Sequence, residues 1–260
     1  MIALSFGFGA VEAEFWRLLF VMTRIGAAML AAPIFGAGSV PPQVRVIVTG
    51  ALAVLVCAWT PVQVPPALFS AQGFLAIAGE ALVGLSLGFV LQIAFAAPIL
   101  GAEVIGGAMG MSMATAVDPN SGAQSPALGQ YFTVVITLIF LALGAHLQWI
   151  ALVVESYRVF PPGDTWLGPE KFATIAGFAT TMFLTAVAIA LPVTLVLLVV
   201  QVVTGVLSRS APALNLFALG LPAGVLAGIA ALIAAAPLLT DQLTDLSFLA
   251  IEQTREVLVR

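Results

Sequence analysis

A long uncharged apolar run is the feature that most restricts what this chain can fold into. Residues 131–154 form about 24 consecutive positions without Asp, Glu, Lys or Arg, and about 20 apolar residues suffice for a helix to cross the hydrocarbon core of a membrane. The whole chain is 62% hydrophobic and 8% charged, whereas about a quarter of the residues of a soluble domain are charged. The sequence therefore predicts a membrane protein, mostly helical because lipid leaves no partner for an unpaired backbone group.

Five further apolar blocks accompany this run, so we expect an all-α, polytopic protein of kinked apolar helices and helical hairpins. The fifth block is too long for one upright span, which leaves a kinked long helix and a re-entrant hairpin as alternatives. The tail alternates charged and apolar residues at helical spacing, as in an amphipathic surface helix. We expect one domain over residues 1–260, with apolar segments at residues 15–35, 46–60, 73–100, 131–154, 172–208 and 214–240 and the tail at 241–260.

The composition argues against several classes of function. The net charge is −4, without the basic patch that nucleic-acid binding needs. The only cysteine, Cys57, and the only histidine, His146, cannot supply an ordinary zinc site. Sequence motifs of hydrolases and of phosphate-binding loops are absent. We therefore expect a protein that is not an enzyme and that holds neither a metal nor another cofactor.

Two acidic side chains, Glu80 and Glu103, lie within or beside apolar segments. An ionisable group at membrane depth is by default a functional candidate, and the alternative is a carboxylate that pairs with a buried arginine. Arg45 and Arg209 are candidate partners. Arg17 and Arg24 in the first apolar block suggest contact with protein, water or lipid headgroups. The sequence leaves both interpretations open and assigns no pair.

A glycine- and methionine-rich segment, residues 101–119, fits neither a stable helix nor a solvated loop. Glycine interrupts helices and methionine is a flexible filler, and Asp118 with Pro119 closes the segment as a turn. Core filling is the expected role for any single methionine, but Met109, Met111 and Met113 together favour a compressible seal. We interpret this glycine–methionine segment as the moving part of the molecule.

Other small residues and prolines give weaker signals. Gly84 and Gly88 form a small-xxx-small pair that would let another helix approach closely. Pro192, Pro222 and Pro237 lie inside apolar blocks, where ordinary kinking is favoured over a role in gating.

Four motifs occur in order along nearly the whole chain. They are Pro33 with Pro42-x-x-Arg45, then Gly101-x-Glu103-x-Ile105-Gly106-x-x-Met109-Gly110-x-Ser112-x-Ala114-Thr115-x-x-Asp118-Pro119, then Ala190-Leu191-Pro192, and last Arg209-x-x-Pro212-x-Leu214-Asn215-x-Phe217-x-x-Gly220-x-Pro222. Together they resemble the FliR and T-subunit family of flagellar and injectisome type III export gates. One departure is Ala213, where the family usually has glutamine.

The resemblance implies a subunit of a multi-subunit gate for secreted flagellar proteins, with bent hairpins packed against one another. It implies P and Q subunits, a B-type switch subunit, unfolded export substrates and membrane lipid as partners, in a bacterial inner membrane at the flagellar basal body. The pore plug would contain Gly106, Gly107, Met109, Gly110, Met111, Met113, Asp118 and Pro119. Structural and assembly roles would fall on Pro33, Pro42, Arg45, Glu80, Glu103, Pro192, Arg209, Pro212, Asn215, Phe217, Gly220 and Pro222.

The alternative is a secondary transporter or ion channel that uses intramembrane carboxylates. Such proteins combine broken helices with acidic groups near the membrane midplane. This alternative predicts that Glu80 or Glu103 titrates with transport and that the protein works alone.

Overall fold

The computed structural model describes residues 10–60, 62, 70–111, 127–163, 168–210 and 216–258, and gives the backbone alone for residues 10, 208, 216–219 and 221. Every regular element in these ranges is a helix, so the all-α prediction is confirmed. The helices are α1 (Ala10–Ala31), α2 (Pro42–Trp59), α3 (Ala71–Ala108), α4 (Ala127–Ala142), α5 (Ala145–Val159), α6 (Pro169–Ser210) and α7 (Leu216–Leu258).

Four helices of the described chain are long and apolar enough to cross a membrane. They are α2, α3, α6 over Pro169–Leu207 and α7 over Pro222–Leu258, with mean hydropathies from 1.6 to 2.8. The bent pair of α4 and α5 is also long and apolar enough when its two helices are taken together. Such a pair is a broken span or a re-entrant loop. The prediction of a polytopic chain is confirmed.

The third helix is longer than the predicted block of residues 73–100. It continues through Glu80 and Pro98 as far as Ala108, so residues 101–108 of the glycine–methionine segment are helical. The interpretation of residues 101–108 as unsuited to a stable helix was wrong. Proline removes one backbone donor, but Ala97 and Ala102 on either side are fully buried, and this packing holds the helix together.

The uncharged run of residues 131–154 is divided between two helices. The break lies at Leu143 and Gly144, and Gly144 has a φ of 67° as the residue before α5. A left-handed conformation of this kind is one that glycine adopts without a steric cost. The backbone N–H groups of Leu147 and Gln148 both donate to the Gly144 carbonyl oxygen, at 3.1 and 3.3 Å, which starts the second helix.

The two C-terminal helices run through their internal prolines. Helix α6 is one helix of 42 residues, which decides between the two alternatives for residues 172–208 in favour of a long helix. Helix α7 contains Pro222 and Pro237 and joins the sixth apolar block to the predicted tail without interruption.

The last turns of α7 are amphipathic, in agreement with the pattern of the tail. Ala250, Thr254 and Val257 are buried, whereas Glu252 and Arg255 are exposed. Residues three and four positions apart share one face of a helix, so the buried set forms a stripe and the charges lie on the other side.

The chain groups into two compact units. The first consists of Met1–Ala94, Gly144–Ala179 and Phe248–Arg260, and the second of Phe95–Leu143 and Thr180–Ser247. The expectation of one domain over residues 1–260 stays a prediction.

The core of the first unit is organised by two aromatic residues of α5. Trp149 is fully buried, stacks on Phe35 with 5.7 Å between ring centroids and donates its indole N–H to the Leu87 carbonyl oxygen at 3.1 Å. The Tyr157 hydroxyl donates to the Val21 carbonyl oxygen at 2.6 Å. Buried aromatic residues therefore link α5 to α1 and α3 by both packing and hydrogen bonds.

Helix α1 lies directly on the two glycines of α3 that the sequence singled out. A Cβ atom on Gly88 would lie 2.6 Å from Cβ of Ala31 and 3.0 Å from the backbone nitrogen of Ala32, and one on Gly84 would overlap the carbonyl oxygen of Arg24. The prediction of a close helix contact at this small-xxx-small pair is confirmed.

In the second unit, the C-terminal part of α3 packs against α4 and α6. The rings of Phe95 and Phe140 meet edge to face with centroids 5.5 Å apart. A Cβ atom on Gly101 would lie 3.0 Å from a methyl carbon of Ile189 and 3.1 Å from the carbonyl oxygen of Ala186. The first residue of the glycine–methionine segment is thus the point at which α3 and α6 approach closely.

Candidate functional site

Helix α3 ends inside the glycine–methionine segment with a glycine cap. The N–H of Met111 donates to the Gly106 carbonyl oxygen and the N–H of Gly110 to that of Gly107, both at 3.0 Å. Gly110 has a φ of 81°. These two hydrogen bonds around a left-handed glycine constitute the Schellman motif, so this part of the segment is a defined helix terminus.

Met109 packs against two glycines of α7, with its side chain on Gly228 and its backbone on Gly224. Met109 is 4% exposed. A Cβ atom on Gly228 would lie 2.6 to 2.8 Å from the Cγ, Cε and Sδ atoms of Met109, and one on Gly224 would lie 3.1 Å from the Met109 carbonyl oxygen. Only glycine leaves this space free, and we call Met109 with Gly224 and Gly228 the methionine seat.

A polar side chain of α6 completes the helix terminus. Gln201 donates its amide N–H to the carbonyl oxygen of Ala108, the last residue of α3, at 2.8 Å. The last carbonyls of a helix have no partner within the helix, and here the Ile105 carbonyl accepts from the Met109 N–H at 2.9 Å. With the two bonds of the glycine cap, all four terminal carbonyls of α3 are hydrogen bonded.

The predicted plug residues divide into a described and an undescribed part. Gly106 and Met109 are buried and Gly107 is exposed, while Gly110 and Met111 are half-buried. For Met109 the structure shows packing within the chain's own core. Met113, Asp118 and Pro119 lie outside the described residues.

The Glu80 carboxylate forms a buried ion pair with Arg24. The Arg24 Nε atom lies 2.8 Å from Oε2 and its Nη2 atom 2.9 Å from Oε1, and both side chains are 0% exposed. Arg24 also donates to the carbonyl oxygens of Ser156 and Phe160, at 2.8 and 3.0 Å. The Gly163 N–H donates to Glu80 Oε1 at 3.3 Å. This node ties α1, α3, α5 and the residues after α5 together.

The partner of Glu80 differs from the two candidates that the sequence offered. Arg45 donates to backbone carbonyls of the connection between α1 and α2, and Arg209 is exposed near the end of α6. Of the two alternatives for Glu80, the structure supports the carboxylate paired with a buried arginine, here Arg24. Glu103 is exposed on α3.

The remaining structural candidates lie at helix ends or inside helices. Pro33 follows the end of α1, and Pro42 is the first residue of α2, where the missing N–H costs no hydrogen bond. Pro192 lies within α6, Gly220 and Pro222 lie within α7, Phe217 lies in α7 without a described side chain, and Pro212 and Asn215 lie outside the described residues.

Sequence reasoning missed three residues that contact the end of α3. They are Gln201 on α6 and Gly224 and Gly228 on α7. The two glycines repeat the spacing of Gly84 and Gly88, so the same small-xxx-small pattern could have identified them. An isolated amide in the apolar stretch of α6 was a second signal.

These contacts position helices. Among the described residues, no group of three or more His, Cys, Asp or Glu side chains could hold a metal ion. Fold and contacts together define the class, an all-α integral membrane protein whose polar groups fix helix ends and helix crossings.

Comparisons with known proteins give the family. Residues 15–249 match the family described as bacterial export proteins, family 1, and the chain belongs to this family. It is similar to the flagellar biosynthetic protein FliR of Escherichia coli (strain K12), with 33% identity over 225 residues, 86% of this chain and 84% of the relative. For the FliR of Bacillus subtilis (strain 168) the identity is 32% over 248 residues, 94% of this chain and 95% of the relative. The FliR of Aquifex aeolicus (strain VF5) is 32% identical over 235 residues, 88% of each chain. The resemblance drawn from the four motifs is confirmed.

Proposed function

We propose that this chain is a subunit of the flagellar type III protein export apparatus and forms, with P and Q subunits, the gated pore for secreted flagellar proteins. The observation that carries the proposal is the family match over residues 15–249, together with relatives that are named flagellar biosynthetic proteins. The proposal includes a place in the bacterial inner membrane at the flagellar basal body. Its other partners are a B-type switch subunit, unfolded export substrates and lipid.

The exposed apolar surface of α6 supports a role in an assembly within the membrane. In Pro169–Leu207, 28% of the most apolar stretch is buried, although a water-exposed apolar surface of this extent would be costly. Lipid and further subunits are the two means of covering it. The exposed apolar residues of this helix include Phe183, Leu184, Val187, Leu191, Leu195, Leu198, Val199, Val202, Val203 and Val206.

The contacts of Glu80 do not favour the alternative of a transporter or ion channel. A carboxylate that carries an ion must gain and release its partner, whereas both oxygens of Glu80 are held by the Arg24 guanidinium at 2.8 and 2.9 Å. Breaking such a pair leaves a charge buried without compensation, at a cost of about 3–5 kcal/mol. A structural role suits this geometry better than a transport cycle.

The proposed mechanism is passive gating. By resemblance to the family, the glycine–methionine segment from Gly106 onwards closes the pore until an unfolded export substrate displaces it. The energy for export comes from the proton motive force and from an ATPase elsewhere in the apparatus. This chain therefore needs no reactive group of its own, and its task is to hold and release the closing segment.

A deletion and purification experiment tests this proposal. We expect a strain that lacks the chain to stop exporting flagellar proteins and to regain export from a tagged copy. Purification of the tagged chain should recover two other small apolar subunits. The matched control is the same purification with an unrelated tagged membrane protein of similar hydropathy. Export without the chain, or a chain that is recovered alone and takes up a small solute selectively, would contradict the proposal.

A further inference from the structure

We propose that Gln201, Gly224 and Gly228 are positioning residues that anchor the end of α3, so that residues 105–110 are the fixed base of the glycine–methionine segment. The proposal rests on the function proposed above and deepens it. It changes the interpretation of residues 106–110, which stay in place when the pore opens. Met109 accordingly acts as an anchor in the methionine seat and not as part of a deformable seal.

The hydrogen bonds at the end of α3 show that this base is fully specified. The carbonyl oxygens of Ile105, Gly106 and Gly107 accept from backbone N–H groups, and that of Ala108 accepts from Gln201. In an apolar surrounding, an unpaired carbonyl costs several kcal/mol by order of magnitude. Unwinding any of these residues therefore leaves a carbonyl without the partner that the structure provides.

The methionine seat fixes the same residues from the side. Gly224 faces the backbone of Met109, and Gly228 faces its side chain, at separations that exclude any Cβ atom without a shift. Fixing a long side chain such as that of methionine costs rotamer entropy, which the close contact of this side chain with Gly228 offsets. Gln201 on α6 and the glycines on α7 thus hold one helix end from two helices.

The glycine cap ends α3 at one residue. Gly110 has a φ of 81°, a conformation that turns the chain out of the helix. A gate needs a rigid attachment for the part that moves, since a loose base would spread a displacement over the neighbouring helices. The methionine seat provides this attachment, and its three residues are all among those that the structure describes.

The test uses one substitution that places a methyl group in the methionine seat and a second that removes the Met109 side chain from it. Gly228→Ala places a methyl group where the Met109 side chain lies, and because that side chain is flexible, the protein still folds but Met109 leaves its seat. Met109→Ala in the same chain removes the obstruction. Gly177→Ala on α6 is the matched control, since a Cβ atom there meets nothing within 4 Å and the residue lies outside the glycine–methionine segment and its contacts.

Two measurements are made on the purified gate complex and on cells that contain it. The first follows the methyl signals of ¹³C-labelled methionine, with Met109 assigned by its loss in Met109→Ala. The second is the leak of ions across the membrane of cells that are not exporting. We expect Gly228→Ala to shift and sharpen the Met109 signal and to raise the leak severalfold, and Gly177→Ala to change neither. The double variant should leak less than either Gly228→Ala or Met109→Ala alone.

The outcomes separate this inference from the proposed function. An unchanged Met109 signal in Gly228→Ala, or effects on the leak that simply add in the double variant, would overturn the seat. A displaced Met109 with a wild-type leak in a complete, exporting complex would also overturn it and leave the proposed function standing. Recovery of the chain without the other subunits would instead contradict the proposed function.

Discussion

At the scale of single residues, the buried ion pair is the most constrained feature of the chain. Arg24 and Glu80 are completely removed from solvent, and the guanidinium carbon of Arg24 also lies 4.2 Å from the centre of the Tyr157 ring. Removing two charges from water is expensive, and the loss is recovered only when their hydrogen bonds are complete. Here each carboxylate oxygen has a guanidinium partner, so the pair is stable as a unit while either half alone is not.

The pair predicts a reciprocal effect of two substitutions. Glu80→Gln and Arg24→Met should each lower the free energy of unfolding by about 3–5 kcal/mol, because each leaves one charge buried without its partner. The double variant Arg24→Met with Glu80→Met should recover most of this loss, since two apolar side chains of similar volume replace the pair. Unfolding of the purified protein in detergent measures the effect.

A surface carboxylate provides the control for this prediction. Glu103→Gln changes the same chemical group at an exposed position and should alter the free energy of unfolding by no more than about 0.5 kcal/mol. If the losses from Glu80→Gln and Arg24→Met add in full in the double variant, the two side chains do not act as a unit.

At the scale of helices, glycine decides where two backbones meet. Gly84 and Gly88 on α3 allow α1 to pack closely, and Gly101 on α3 does the same for α6. Gly224 and Gly228 on α7 leave room for the end of α3. Without water between apolar helices in lipid, association depends on close packing and on hydrogen bonds between helices. The small residues therefore determine which helices pack together, and the large apolar residues fill the space around them.

The crossing of α1 and α3 gives a prediction at this scale. Gly84→Ala should lower the free energy of unfolding by about 1–3 kcal/mol, the cost of overpacking a tight contact, because the added methyl group meets the backbone of Arg24. Gly177→Ala is the matched control, since a Cβ atom there meets nothing within 4 Å. The measurement is the unfolding midpoint in detergent, and equal midpoints for the two variants would show that the crossing tolerates a methyl group.

The existence of most helices followed from the sequence, because long apolar runs in lipid have few alternatives to a helix. The end of α3 did not follow. The glycines of the segment were interpreted as helix breakers, whereas Gly101 serves a close contact with α6 and Gly110 forms the cap. The choice of Arg24 as the partner of Glu80 was equally inaccessible, since sequence spacing does not show which helices pack together.

At the scale of the whole molecule, the long helices leave much apolar surface that the chain itself does not cover. Its four long apolar helices carry many exposed leucine, valine and phenylalanine side chains, and its family is one of bacterial export proteins. Lipid and the partner subunits proposed above are the two means of covering this surface. The account therefore predicts that closure is a property of the assembled gate, with the base at residues 105–110 supplied by this chain.

The most direct test of the central claim is a measurement of ion leak in cells whose gate carries an altered closing segment. Residues 112–118, which lie outside the described residues, are replaced by glycine and serine at the same length, so that the glycine cap and the methionine seat are retained. The account predicts that the altered chain still assembles with its partners and that the membrane becomes permeable to ions. A membrane that stays tight while export continues at the wild-type rate would contradict it.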